Sequence, residues 1–331
     1  MKTCAIDIHH HYVPESLLEE AKKRGKHLGV ELTEKEGQQS LSFAGGPPFV
    51  LHPELPAVDK RLKMMEDSKL AMAALEAHTA TLGYRLTGEQ GENWCTAYNE
   101  GIKGLIDSHP DRFVGVASVP LQDPARAAKV LEHAVRDLKF KGGYIGTNVN
   151  GNYYGTTDFD PFWAKAQELD VMIVMHPEAV AGADKMNPYG LKLICGNPAD
   201  SALCFGYLTY SGVFDRFPNL KLCILHGGGF FPYHLGRFDR GWQVRAGARA
   251  AKAKMPPSAY LKNIYYDDMI YRLDTIKYLI GLAGVDHIMV GTDYPYDLGD
   301  WEAAKKVEEL DVSEADKLLM LEGNAKRLLK F

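Results

Sequence analysis

Short apolar, β-rich runs recur along the chain, separated by longer stretches whose apolar residues fall at helical spacing. The strand-like runs cover residues 4–9, 72–78, 113–119, 142–148, 171–176, 221–226, 263–268 and 287–293. Most are apolar throughout, which suits parallel strands covered on both faces. Helical stretches follow at 58–67, 92–109, 124–138, 159–169, 200–217, 231–244, 274–283 and 301–310. In 124–138, Ala127, Val130, Leu131, Ala134 and Leu138 make one apolar stripe. Strand and helix alternating eight times predict an α/β fold of the (β/α)8 TIM-barrel type. An open doubly wound sheet is the rival, but no G-x-G-x-x-G follows the first strand.

Two regions interrupt the alternation. Residues 12–57 form a long insertion after the first strand, with Gly45, Gly46, Pro47 and Pro48 in a row and Leu41 and Phe43 alternating with polar residues. A loop of this length is expected to cap the barrel mouth within a single domain spanning 1–331. Residues 313–331 read as an extra C-terminal helix on the outside of the barrel.

Composition narrows the partners. Hydrophobic residues are 46% and charged residues 24% of the chain, with a formal net charge of −5. The one basic cluster, Lys22, Lys23, Arg24 and Lys26, sits on an expected helix end and reads as a solvated face. Nucleic acid is therefore excluded as a partner. The 5 cysteines are odd in number and lack C-x-x-C spacing, and Cys4, Cys195 and Cys223 lie in or beside apolar runs. A reducing compartment follows, without a disulfide framework. No apolar stretch approaches the roughly 20 residues of a membrane span, and the N-terminal run ends in three histidines rather than a cleavage site. A cytoplasmic protein is expected.

The chemistry lies at the strand ends. The first strand ends His9-His10-His11, the fifth Met175-His176, the sixth Leu225-His226 and the eighth Thr292-Asp293. In a parallel barrel these carboxyl ends converge on one face. Side chains alternate along a strand, so His9 and His11 point one way and His10 the other. His9, His11, His176 and Asp293 thus make a candidate set of three nitrogens and one oxygen for one divalent ion, zinc first and manganese second. No lysine stands at the end of strand four to bridge a second ion; Lys139 and Lys141 lie at its opposite end. His226 beside the ion suits proton transfer. Gly227, Gly228 and Gly229 follow it and leave little steric bulk near the site.

The segments IDIHHH (6–11), MHPE (175–178), HGGGFFPYHLGR (226–237) and GTDYPYDLGD (291–300) resemble the amidohydrolase superfamily. Within it they are similar to the branch of amidohydrolase-related decarboxylases that acts on 2-amino-3-carboxymuconate 6-semialdehyde. RFVGVASVPLQ (112–122), IGTNVNG (145–151) and EGNAKRLL (322–329) extend the likeness over nearly the whole chain. The resemblance implies a metal held by His9, His11, His176 and Asp293, with His226 working beside it. It also implies a homodimer in which Arg237 binds a substrate carboxylate, in its own or the neighbouring subunit.

Departures from that branch point to a different substrate. His52 stands where an arginine is expected, with no arginine before Arg61. Glu178 replaces a tryptophan, Asn148 a histidine and Tyr296 a phenylalanine. These four are candidate substrate contacts, and Tyr294 is a candidate for the pocket wall. The expected reaction is metal-dependent, non-oxidative decarboxylation of an aromatic or unsaturated hydroxy- or amino-carboxylic acid. The ion would act as Lewis acid, and Asp293 or His226 would move the proton. Hydrolysis of a lactone or amide, or hydration of a conjugated acid, uses the same groups and is the alternative.

Overall fold

The protein is described from a computed structural model covering residues 5–249 and 252–331. Cys4, which the hydropathy pattern assigns to the first strand, lies outside the described residues. The chain starts with β1 (Ala5–His11), buried at every position. Next come α1 (Glu15–Leu28), β2 (Val30–Lys35), β3 (Gln38–Phe43) and β4 (Phe49–Val50). They lead to α2 (Val58–Asp67), β5 (Leu70–Glu76), α3 (Gly88–Ser108), β6 (Phe113–Ser118), α4 (Pro124–Arg136) and β7 (Gly142–Gly146). The middle of the chain forms α5 (Asp160–Glu168), β8 (Met172–His176), α6 (Asn197–Tyr210), α7 (Val213–Arg216), β9 (Lys221–Ile224) and α8 (Phe231–Val244). Last are α9 (Ala246–Arg249), β10 (Ile264–Asp267), α10 (Leu273–Ala283), β11 (Ile288–Met289), α11 (Ala303–Glu309), α12 (Glu314–Leu318) and α13 (Asn324–Leu329).

β1 and β5 to β11 make one eight-stranded parallel sheet in sequence order. Its two edges meet: Asp7 bridges Val290, and the Ile8 amide donates to the Val290 carbonyl at 2.9 Å. The result is the (β/α)8 barrel expected from the alternation. Asp7 fastens the seam. Its Oδ1 accepts the Thr292 amide at 3.1 Å and its Oδ2 accepts the Thr292 hydroxyl at 2.5 Å. Gly291 lets the strands approach there, because a Cβ would lie 2.7 Å from that of Asp267 and 3.0 Å from that of His9.

Helices sit where periodicity and capping place them. Asp123 caps α4 through the Arg126 amide, Pro124 occupies its first turn, and Ala127, Val130, Leu131 and Ala134 are buried against the sheet. Four details depart from the sequence reading. The expected helix over 200–217 is split, because Gly212 adopts left-handed backbone (φ 72°) after α6. Strands β9 and β11 end before His226 and Asp293, both of which take positive φ (56° and 57°) and turn out of the ladder. The C-terminal helix carries a π turn at Leu319–Gly323 between α12 and α13. Residues 12–57 are not a bare loop: they contain α1 and an antiparallel sheet of β2, β3 and β4. Phe49 of that sheet reaches the barrel mouth and stacks on His78 at 4.7 Å. No helix among the described residues is long and apolar enough to cross a membrane.

Candidate metal centre and substrate cavity

β1 and β8 and the turn after β11 bring His9, His11, His176 and Asp293 together at the carboxyl end of the barrel. The rings of His9, His11 and His176 form a near-equilateral triangle, with centroids 5.1, 5.3 and 5.2 Å apart. Each has its Nδ1 committed. That of His9 pairs with Asp267 Oδ2 at 2.8 Å, that of His11 with the Ala77 carbonyl at 3.1 Å and that of His176 with the Pro177 carbonyl at 2.9 Å. An Nδ1 that donates leaves Nε2 as the lone-pair atom, the arrangement of metal-ligating histidines. Asp293 Oδ1 lies 3.3 Å from Nε2 of His9 and 3.0 Å from Nε2 of His11. Bare nitrogens and a carboxylate facing one point repel one another unless a cation sits among them.

The surroundings add to that demand. Nε2 of His9 and both oxygens of the fully buried Glu76 have no hydrogen-bond partner. Burial opposes charge on His9, yet Asp293, Asp267 and Glu76 raise its pKa well above the ordinary imidazole value. The cluster attracts positive charge to the one ring atom still free to carry it. Burial likewise opposes ionisation of Asp293, but the neighbouring His9, His11 and His226 hold its pKa well below the carboxylate range. Burial pushes the pKa of His176 well below the ordinary imidazole value, and the nearby His226, His11 and His9 push the same way. These residues fit a divalent ion. Among the described residues, two groups have all donor atoms within 4.8 Å of one another: His9, His176, His226 and Asp293, and His9, His11 and Glu76.

His10 faces away from the cluster. Its Nδ1 bonds Asp7 at 2.7 Å and its ring stacks on Tyr294 at 5.0 Å. His226 follows β9 and places Nε2 3.7 Å from Asp293 Oδ2. Above the cluster opens a cavity of about 950 Å³. Its walls are mostly apolar, with Phe49, Val180, Phe230, Met269 and Ile270, and its polar groups include His78, Glu178, His226 and Tyr296.

The family model described as "Amidohydrolase" matches residues 6–331. The chain belongs to the amidohydrolase family. The chain is 27% identical over 330 residues to 2-amino-3-carboxymuconate-6-semialdehyde decarboxylase of Dictyostelium discoideum, covering 99% of this chain and 92% of the relative. It is 28% identical to gamma-resorcylate decarboxylase of Polaromonas sp. strain JS666, over 82% of this chain and 87% of that enzyme. Among solved structures, it superposes on dihydroxybenzoic acid decarboxylase of Polaromonas sp. JS666 with a TM-score of 0.79 at 24% identity, covering 99% of this chain and 97% of the other. That structure contains manganese and the inhibitor 2-nitroresorcinol.

The substrate residues expected from sequence scatter more than the donor set. Glu178 and Tyr296 line the cavity. Burial lifts the Glu178 carboxyl to about 7, against the pull of Lys192. Asn148 does not line the cavity. Its Nδ2 bonds the Glu178 carbonyl and Asp200, and its Oδ1 accepts the Gly151 amide at 2.7 Å, so it shapes the loop carrying Glu178. His52 sits behind Tyr296, rings 5.7 Å apart, and its Nδ1 accepts the Glu54 amide. Arg237 is exposed on α8 and does not reach the cavity of its own chain. Tyr294 is buried away from the cavity, donating to Glu54 at 3.0 Å.

Arg61 is a backbone clamp rather than a substrate ligand. Fully buried, it donates to the His11 carbonyl at 2.9 Å and the Leu55 carbonyl at 2.8 Å, between the rings of Tyr12 and Tyr294. Lys141 bonds the Lys330 carbonyl, far from the donor cluster. Sequence reasoning passed over three residues: Glu76, His78 and Asp267. All stand at or just beyond strand ends, the same signal that singled out His176 and Asp293.

Proposed function

We propose that this chain is a metal-dependent, non-oxidative decarboxylase of an aromatic or unsaturated carboxylic acid. The observation that carries it is the donor triangle: three imidazoles with Nδ1 committed, and Asp293, aimed at one point on the floor of an apolar cavity. The named relatives act as decarboxylases on the same fold. His9, His11, His176 and Asp293 would hold one divalent ion. When bound, the ion supplies Lewis-acid stabilisation of negative charge on the substrate. Zinc suits three nitrogens and an oxygen, and manganese in the Polaromonas enzyme is the alternative.

The chain's own groups provide the rest. The apolar walls exclude water and lower the local dielectric, which strengthens each polar contact with the substrate. His226 lines the cavity with its Nε2 3.7 Å from Asp293 Oδ2, which supports its delivering a proton to the carbon that loses CO2. Glu178 and Tyr296 contact polar substituents of the substrate from the walls. Residues 12–57 cap the mouth through Phe49, within a single functional unit over 1–331. The enzyme works in the cytoplasm as a homodimer.

The test is CO2 release from a panel of hydroxybenzoates and amino-carboxymuconate analogues, before and after chelation. CO2 that appears with the ion present and stops on its removal is expected. Turnover of lactones or hydration of conjugated acids, with no CO2 from any acid, replaces the decarboxylase by the hydrolase or hydratase.

Because Arg237 is exposed and does not line the cavity of its own chain, we propose that the substrate carboxylate is met by Arg237 of the partner subunit. Mixing inactive His176→Ala and Arg237→Ala proteins should then restore about a quarter of wild-type activity, the share expected when random exchange leaves one intact site in each mixed dimer. No recovery despite demonstrated subunit exchange removes the shared site.

A further inference from the structure

His78, two residues beyond β5, has a fixed tautomer. Its Nδ1 accepts the Ala80 amide at 3.2 Å, so the single ring proton sits on Nε2. Stacking on Phe49, with planes 10° apart, holds the ring in place. The ring of Tyr296 lies 5.0 Å from it and 5.9 Å from His11. Tyr296 Oη is buried without a hydrogen-bond partner, a costly state unless a bound molecule relieves it. Both side chains line the cavity on the side of His11 and Asp293.

Among the described residues, Lys192 is the one lysine or arginine lining the cavity, and it belongs to the exposed segment after β8. Within one chain, the wall beside the donor cluster therefore offers an acid substrate no cation, and His78 and Tyr296 stand there as neutral donors. We propose that His78 Nε2–H and Tyr296 Oη–H form a donor pair that binds one acceptor oxygen of the substrate next to the ion. This rests on the cavity being the decarboxylase site. The oxygen belongs to the carboxylate or to a phenolic hydroxyl beside it, and the pair sets how the substrate ring lies over His226. Neutral donors orient the acid without neutralising its charge, unlike an arginine fork.

The experiment is calorimetric titration of benzoate and 2-hydroxybenzoate into the metal-loaded wild type, Tyr296→Phe and His78→Phe. Phenylalanine keeps the Tyr296 ring and removes only its hydroxyl; at His78 it keeps an aromatic ring against Phe49 and removes Nε2–H together with the Nδ1 acceptor of the Ala80 amide. Metal content is measured on the same samples. Each variant should bind 2-hydroxybenzoate about tenfold more weakly, the loss of one hydrogen bond. An equal loss for benzoate assigns the oxygen to the carboxylate; a loss confined to 2-hydroxybenzoate assigns it to the phenol. Unchanged Kd for both acids in both variants overturns the pair, as does a wild type that binds neither acid while retaining its ion. Loss of the ion in both variants also overturns it, because the pair would then hold the centre rather than the substrate. CO2 is not the readout, so acids bound through the pair without decarboxylation would keep this inference and remove the decarboxylase.

Discussion

His176→Ala should leave the purified protein with far less than the approximately one equivalent of zinc or manganese expected for the wild type. Activity should fall by about a thousandfold or more, the several kcal/mol that a Lewis acid contributes to a charged transition state. The ring removed is one corner of the donor triangle. His10→Ala is the contrast. His10 bonds Asp7 and stacks on Tyr294, on the far face of β1. Its loss should lower stability by roughly 1–3 kcal/mol, through a cavity and the loss of one of the two hydrogen bonds to Asp7 Oδ2, while the ion stays bound. Elemental analysis and thermal unfolding of both variants decide it. Equal loss of metal from the two would falsify the assignment of the inward face of β1.

Asp267→Ala should weaken the ion by about 10–100-fold, the usual effect of removing the carboxylate behind a ligating histidine. Asp267 Oδ2 takes the His9 Nδ1 proton at 2.8 Å, and its Oδ1 accepts the Gly227 amide at 2.7 Å. Burial opposes its ionisation, but His9 keeps its pKa below the ordinary carboxylate value. Without it, the His9 ring is free to turn and to place its proton on Nε2. The glycine turn after β9 also loosens, which shifts His226. Competition with a fluorescent chelator gives the affinity directly. An unchanged affinity with reduced activity would mean that Asp267 acts on His226 alone.

Much of this centre was legible because a parallel barrel brings strand carboxyl ends to one face, and few packing arguments put His176 or Asp293 there. The limits of 58–67 and 231–244 match α2 and α8 because each stretch combines helical spacing with clear breakers. The split at Gly212 was not legible, since one glycine inside a helical pattern is often tolerated. The sheet in 30–50 was hidden by its exposed, polar strands, such as β2 with four exposed residues of six. Asn148, His52 and Arg237 were chosen by likeness to relatives, which gives a position in a loop but not the direction of a side chain. Here those directions serve Asp200, Tyr296 and solvent. Glu76 and Asp267 close β5 and β10 and carry the same strand-end signal, but neither is a histidine or stands in a motif that resembles the family.

The seam fastened by Asp7 has a consequence for how the protein matures. His11 and the carboxylate it faces are 282 positions apart, so a growing chain presents its first imidazoles long before the matching acid leaves the ribosome. Ion capture is therefore a closing event, and its binding energy accrues when the cylinder shuts rather than during earlier collapse. In a cell short of the ion, that edge would be held by the Asp7 and backbone hydrogen bonds alone.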